Sequence, residues 1–190
     1  VFIMSGASLV KTQGASGYTG KVTTYDIASA HASLLAQGDF VTITGTATAA
    51  TGVAQVDASA AAGLITGVIT GFAPNISNLE QKGLPASQAG SVLVQVDPDA
   101  LYEIDISAQA LTVADVGSNA DIAATAATQS GNLVSSNMTI DGSTVAGAGA
   151  TAQLRIVGLV PPTDGTVIGA IGNKALIRIN ESTVKGVVGV

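Results

Sequence analysis

The 190-residue chain contains no cysteine and no tryptophan, a single histidine, and only 3 % aromatic residues. Without cysteine, disulfides, zinc–thiolate sites and thiol catalysis are excluded, so stability has to come from burial, backbone pairing or oligomerisation. With so few aromatics, the core has to be built from valine, isoleucine, leucine and alanine. Charge is scarce too: Asp, Glu, Lys and Arg make up 11 % of the chain, against roughly 25 % in an ordinary globular domain. A lone monomer of this composition has too few well-solvated groups to cover its surface. The simplest resolution is that part of that surface is buried against other subunits or another protein.

Basic residues are few as well. Seven Lys and Arg against thirteen Asp and Glu give a formal net charge of −6, and the seven are scattered along the sequence, which argues against nucleic-acid binding through phosphates. The longest uncharged run, Ala58 to Leu79, is interrupted by Gly63, Gly67, Gly71, Pro74 and Asn75. Its apolar portion, Leu64 to Phe72, is too short to span a bilayer as a helix, so no membrane partner is expected. Val1-Phe2-Ile3-Met4 has no positively charged region ahead of a sustained apolar segment, and no secretory signal is expected there.

What the chain does have is alternation. In Ser91–Ser107, Val92, Val94 and Val96 alternate with Ser91, Leu93 and Gln95, and Tyr102, Ile104 and Ile106 alternate with Leu101, Glu103 and Asp105. This is the two-residue period of half-buried strands. Asp97-Pro98-Asp99-Ala100 between them has turn chemistry, so an antiparallel hairpin is expected. Further strands are expected at 21–27, 40–44, 52–57, 63–72, 133–140, 151–160 and 175–180. The stretch 28–36 fits a short helix, or alternatively a strand over 33–36 closed by a turn at Gly38-Asp39, and 79–82 fits one helical turn. Glycine inside 63–72 points to a bulge or to a closely approaching backbone. About ten short strands separated by turn signals predict an all-β fold, an antiparallel barrel or sandwich. We expect it over residues 21–190, preceded by an extended arm, 1–20; the tail 185–190 is apolar and glycine-spaced like the arm.

Candidate chemistry is thin, and each candidate has a plainer explanation. Any Ser-His-Asp site must use His31, but no nucleophile-elbow pattern surrounds a serine, and a structural imidazole is the simpler reading. Ser8-Leu9-Val10-Lys11 matches a Ser-x-x-Lys pattern without its companion motifs. Gly14–Gly20 resembles a glycine-rich loop, but no Gly-Lys-Ser/Thr follows it. Asp97, Asp99 and Asp105 offer oxygens to a metal, yet turn formation already explains two of them. Asn75, Asn137 and Asn180 begin glycosylation sequons of a kind that chains rich in Ser and Thr produce by chance. Arg155 and Arg178 sit in two of these expected strands, where they are expected to pair with Glu103, Asp105 or a partner's carboxylate. No catalytic, cofactor-binding or metal-binding residue is therefore assigned, and the chain reads as a non-enzyme.

Five segments carry a resemblance: GVITGFAPNISNL (67–79), LPASQAGSVLVQVDPDALYEID (84–105), DVGSNADI (115–122), TAQLRIVGLV (151–160) and NKALIRINES (173–182). In this order they resemble a family of small virion proteins of tailed bacteriophages, encoded beside the major capsid protein and acting as capsid decoration, or cement, proteins. The likeness spans about residues 20–190 and leaves out the arm; Ala175 stands where it implies a larger aromatic. It implies a β-rich homotrimer on the outer surface of the virion's capsid, bound to the major capsid protein at junctions between capsomers. The alternative is a carbohydrate-binding or adhesive β module on the virion surface. That reading needs exposed aromatics, and only Tyr18, Tyr25, Tyr102, Phe2, Phe40 and Phe72 can supply them.

Overall fold

Strand-forming residues in runs of two to eight dominate the computed structural model, which describes residues 6–12, 21–75, 79–80 and 82–184. The strands are β1 (Ser8–Thr12), β2 (Val22–Ile27), β3 (Phe40–Ala47), β4 (Ala54–Ala58), β5 (Gly67–Phe72), β6 (Gly90–Gln95) and β7 (Ala100–Ser107). They continue with β8 (Asn119–Ala120), β9 (Ile122–Ala123), β10 (Thr128–Ser130), β11 (Leu133–Ser135), β12 (Thr139–Asp141), β13 (Leu154–Leu159) and β14 (Lys174–Ile179). Among the described residues the only helical segments are two three-residue 3-10 turns, Val113–Asp115 and Gly142–Thr144. The protein is all-β, as its alternation implies.

Strands β2, β4, β3, β5 and β6 close into a barrel, antiparallel except for the β2–β4 seam, which is parallel and aligned at Asp26 and Gln55. Its interior is aliphatic: Ile27, Val41, Val56, Ile69, Val92 and Val94 form one buried cluster. The period of two turns their chain neighbours the other way. Phe40 and Val68 therefore leave the barrel and join the second core, against β7, β13 and β14.

That second core is covered by a larger sheet, ordered β8-β13-β14-β7-β12-β9, with β1 added to β7. β7 is its centre. β14 pairs along one edge, while β1 (against Ala100–Glu103) and β12 (parallel, against Ile106 and Ser107) share the other. Six of β7's eight residues are buried, so it shows little of the half-polar character its sequence suggests. Phe40 meets Tyr102 edge-on, with ring centroids 6.4 Å apart.

One expectation is corrected here. β6 and β7 do not pair as a hairpin: β6 pairs with β2 and β5 in the barrel, and β7 lies in the second sheet. The turn chemistry between them is as expected, with the Asp97 carboxylate accepting from the Asp99 amide at 3.0 Å. That turn carries the chain from one sheet to the other. Valines 92, 94 and 96 need the barrel interior while Tyr102, Ile104 and Ile106 need the other core, and burial overrides proximity in sequence. The stretch 28–36 is neither helix nor strand; only Leu35 makes a bridge, to Leu84. Of the expected arm, residues 8–12 form β1. The rest of it apart from 6–7, and the tail 185–190, lie outside the described residues.

Glycine in 63–72 acts as expected. A Cβ on Gly67 would lie 2.1 Å from the Gln95 carbonyl oxygen, a close backbone approach, and Gly71 borders the β5–β6 register shift.

Candidate functional site

Large exposed aliphatics collect where two loops of the second sheet meet. Val113 is 73 % exposed, Val167 76 % and Ile171 60 %, with Val116 and Ile168 beside them in sequence. The loops are tied together by the Leu111 amide, which donates to the Gly169 carbonyl at 2.8 Å. Gly169 has φ +79°, and a Cβ there would meet the Leu111 carbonyl oxygen at 2.1 Å, so this closeness requires glycine.

Local polar chemistry holds each loop in place. One oxygen of Asp115 accepts from the Thr112 amide and hydroxyl at 2.7 and 2.8 Å. Asp164 accepts from the Thr166 amide and hydroxyl at 3.0 and 2.7 Å, and hydrogen bonds from Thr166, its hydroxyl first, hold the Asp164 carboxyl below the usual carboxylate range. No Lys or Arg occurs in 106–120 or 160–173. The loops thus present aliphatic side chains on ordered backbone. Burying them against a partner would gain on the order of 5 kcal/mol, at roughly 1.5–3 kcal/mol per fully covered side chain, with little ordering left to oppose it.

The residues singled out from the sequence do not converge. His31 is buried, its Nδ1 2.8 Å from the Ala28 carbonyl, and no hydrogen bond joins it to a serine hydroxyl or carboxylate among the described residues. Ser8 and Lys11 lie on a strand, where three residues span roughly 10 Å, so the pattern does not place them on one helical face. Gly14–Gly20 lies outside the described residues. Asp97 serves the turn, Asp99 lies 3.9 Å from Arg178, and Asp105 is bonded to Lys174 at 2.8 Å. No metal-binding group of His, Asp and Glu occurs among the described residues. Lys174, not an arginine, therefore takes Asp105. Asn137 donates to the Ala126 carbonyl and Asn180 to the Ala152 carbonyl, each at 2.8 Å. Phe40 and Tyr102 are buried, and Tyr25 and Phe72 pack against the barrel cluster.

Two buried residues have no signal in the sequence. Gln153 joins the barrel to the second sheet through hydrogen bonds to backbone groups of both. Asp39 is 1 % exposed; one carboxylate oxygen accepts from the Ala36 amide at 2.7 Å, and the residue lines a cavity of about 130 Å³ with Ser59 and Met138. Burial raises its pKa to about 6, against the opposing pull of Ser136 and the Ala36 amide. Folding therefore disfavours the ionised form, and stability falls as pH rises from about 3.8 to about 6. Asp39→Asn keeps an acceptor for Ala36 and removes the charge. At pH 7.5 it should raise stability by up to about 3 kcal/mol in urea denaturation, and the gain should vanish at pH 4.

A larger cavity, of about 470 Å³, lies between β1, β5 and the second sheet, lined by Ala7, Val68, Thr70, Tyr102, Glu103 and Lys174. No helix among the described residues is long and apolar enough to cross a membrane. No family model, curated protein or solved structure matches the chain.

Proposed function

We propose that the chain is a capsid decoration protein of a tailed bacteriophage: a non-enzymatic homotrimer on the outer surface of the virion, bound to the major capsid protein shell. The observation that carries this reading is the ordered series of segments between residues 67 and 182 described above. The loop end with Val113, Val167 and Ile171, free of basic residues, supports it, because it offers pre-ordered apolar area to a neighbour. A ligand that binds the assembled shell and not its separated subunits stabilises the shell by linkage, increasingly with its concentration.

The carbohydrate-binding alternative draws no support from the described aromatics, which are committed to the two cores. In the capsid reading the tail and the part of the arm outside Ala7 and β1 contact the shell or sister subunits. Deleting residues 1–5, which spares Ala7 and β1, should lower the amount of chain that pellets with purified heads by about tenfold at limiting concentration. Equal pelleting of truncated and full-length chain would remove residues 1–5 from the mechanism. Pelleting of neither would sink the capsid reading itself.

A further inference from the structure

Basic residues that look scattered in sequence are gathered by the fold. Lys11 on β1, Lys174 and Arg178 on β14, and Arg155 on β13 account for four of the chain's seven. Three of them belong to one row across the sheet: Lys11 is registered with Leu101, Leu101 with Arg178, and Arg178 with Arg155. Lys174 is neutralised by Asp105. The two arginines are not. They stand directly opposite each other on adjacent strands, on the face away from the core that holds Leu154, Ile156, Ile177 and Ile179. Among the described residues Arg178 has only a long ion pair, to Asp99 at 3.9 Å, and Arg155 has no ion pair or hydrogen bond to its guanidinium.

Like charges directly opposite each other across a strand pair destabilise it. Arg155 is half-buried, yet its guanidinium nitrogens are not among the buried unpartnered atoms, so they stay open to an incoming carboxylate. A carboxylate placed between two guanidinium forks would relieve that repulsion and accept from both. We propose that Arg155 and Arg178 form a carboxylate-binding site, and that the carboxylate comes from a second copy of this chain. Charge complementarity favours that occupant. Setting aside the four basic residues and the neighbouring acids Asp99, Glu103 and Asp105 leaves three basic and ten acidic residues elsewhere in the chain. With Asp39 buried, nine of those ten acids remain outside the core, so each copy presents one arginine-bearing face and an otherwise acidic exterior. Contact between unlike surfaces is heterologous, and a heterologous contact that closes makes a ring. The inference rests on the decoration reading only for the number of copies in that ring.

Sedimentation velocity of the full chain, from 20 to 500 mM NaCl, tests this. The wild type should self-associate at low salt and dissociate as salt rises. Arg155→Met, which keeps the aliphatic stem, should weaken association by about tenfold, and the Arg155→Met/Arg178→Met pair should weaken it further and flatten the salt dependence. Neither should lower the urea midpoint of the monomer, because each relieves repulsion. Lys21→Met, in the barrel, should leave association unchanged. A wild type that stays monomeric, or a double variant that associates like it, overturns the proposal. So does equal weakening by Lys21→Met, which would mean general charge attraction. A chain that assembles through these arginines yet ignores phage heads would defeat the decoration reading and leave this one standing.

Discussion

Replacing Gln153 with leucine is expected to cost about 4 kcal/mol of folding stability, since each buried polar group left unpaired costs roughly 1–3 kcal/mol. Its side chain is fully buried. The side-chain oxygen accepts from the amides of Ala62 and Ile122, both at 3.0 Å, and its NH2 donates to the carbonyls of Ala60 and Gly63 at 2.9 and 2.5 Å. Ala60, Ala62 and Gly63 belong to the loop between β4 and β5 of the barrel, whereas Ile122 begins β9 of the second sheet. One amide therefore satisfies backbone groups from both layers, and leucine, of similar volume, satisfies none. Urea denaturation followed by circular dichroism would measure the loss. A change below about 1 kcal/mol, the ordinary worth of a single hydrogen bond, would show that the loop finds other partners and that Gln153 does not join the layers.

The second large effect is expected at Gly67. A Cβ there would meet the Gln95 carbonyl oxygen at 2.1 Å and a Val94 methyl at 2.7 Å. The oxygen belongs to the neighbouring strand's backbone, so it cannot yield without parting β5 from β6, the pair on which barrel closure depends. Gly67→Ala should cost 3 kcal/mol or more, or prevent folding, on the order of the largest single-substitution losses. Gly158 is the internal control. It also lies in a strand, at the β13–β14 register shift, but a Cβ there meets nothing within 4 Å. Gly158→Ala should stay within about 0.5 kcal/mol of wild type. If both variants melt alike, the close approach at Gly67 is not what closes the barrel.

Fold class was legible because period-two alternation survives any arrangement of strands. Val92, Val94 and Val96 point inward whichever strand lies beside them. Pairing was not legible, as Ser91–Ser107 shows. Its turn chemistry is local and correctly signalled, but which sheet receives β7 is decided by residues far away in sequence, on β1, β12 and β14. The same reason hides the Arg155–Arg178 juxtaposition, since residues 23 apart become neighbours only once register is known. Asp39 and Gln153 look like ordinary polar positions until burial is known. Low charge did signal uncovered apolar surface, but composition has no coordinates, and the loop end formed by Val113, Val167 and Ile171 emerges only when two distant loops are brought together.

We propose that the uncovered surface exists for the outside of a viral shell. Electron cryomicroscopy of purified phage heads, with and without added chain, tests it most directly. Added density is expected on the outer face of the shell, at symmetry-related positions and sized for this barrel and sheet, and none inside. Identical maps at saturating concentrations of a correctly folded chain would contradict it.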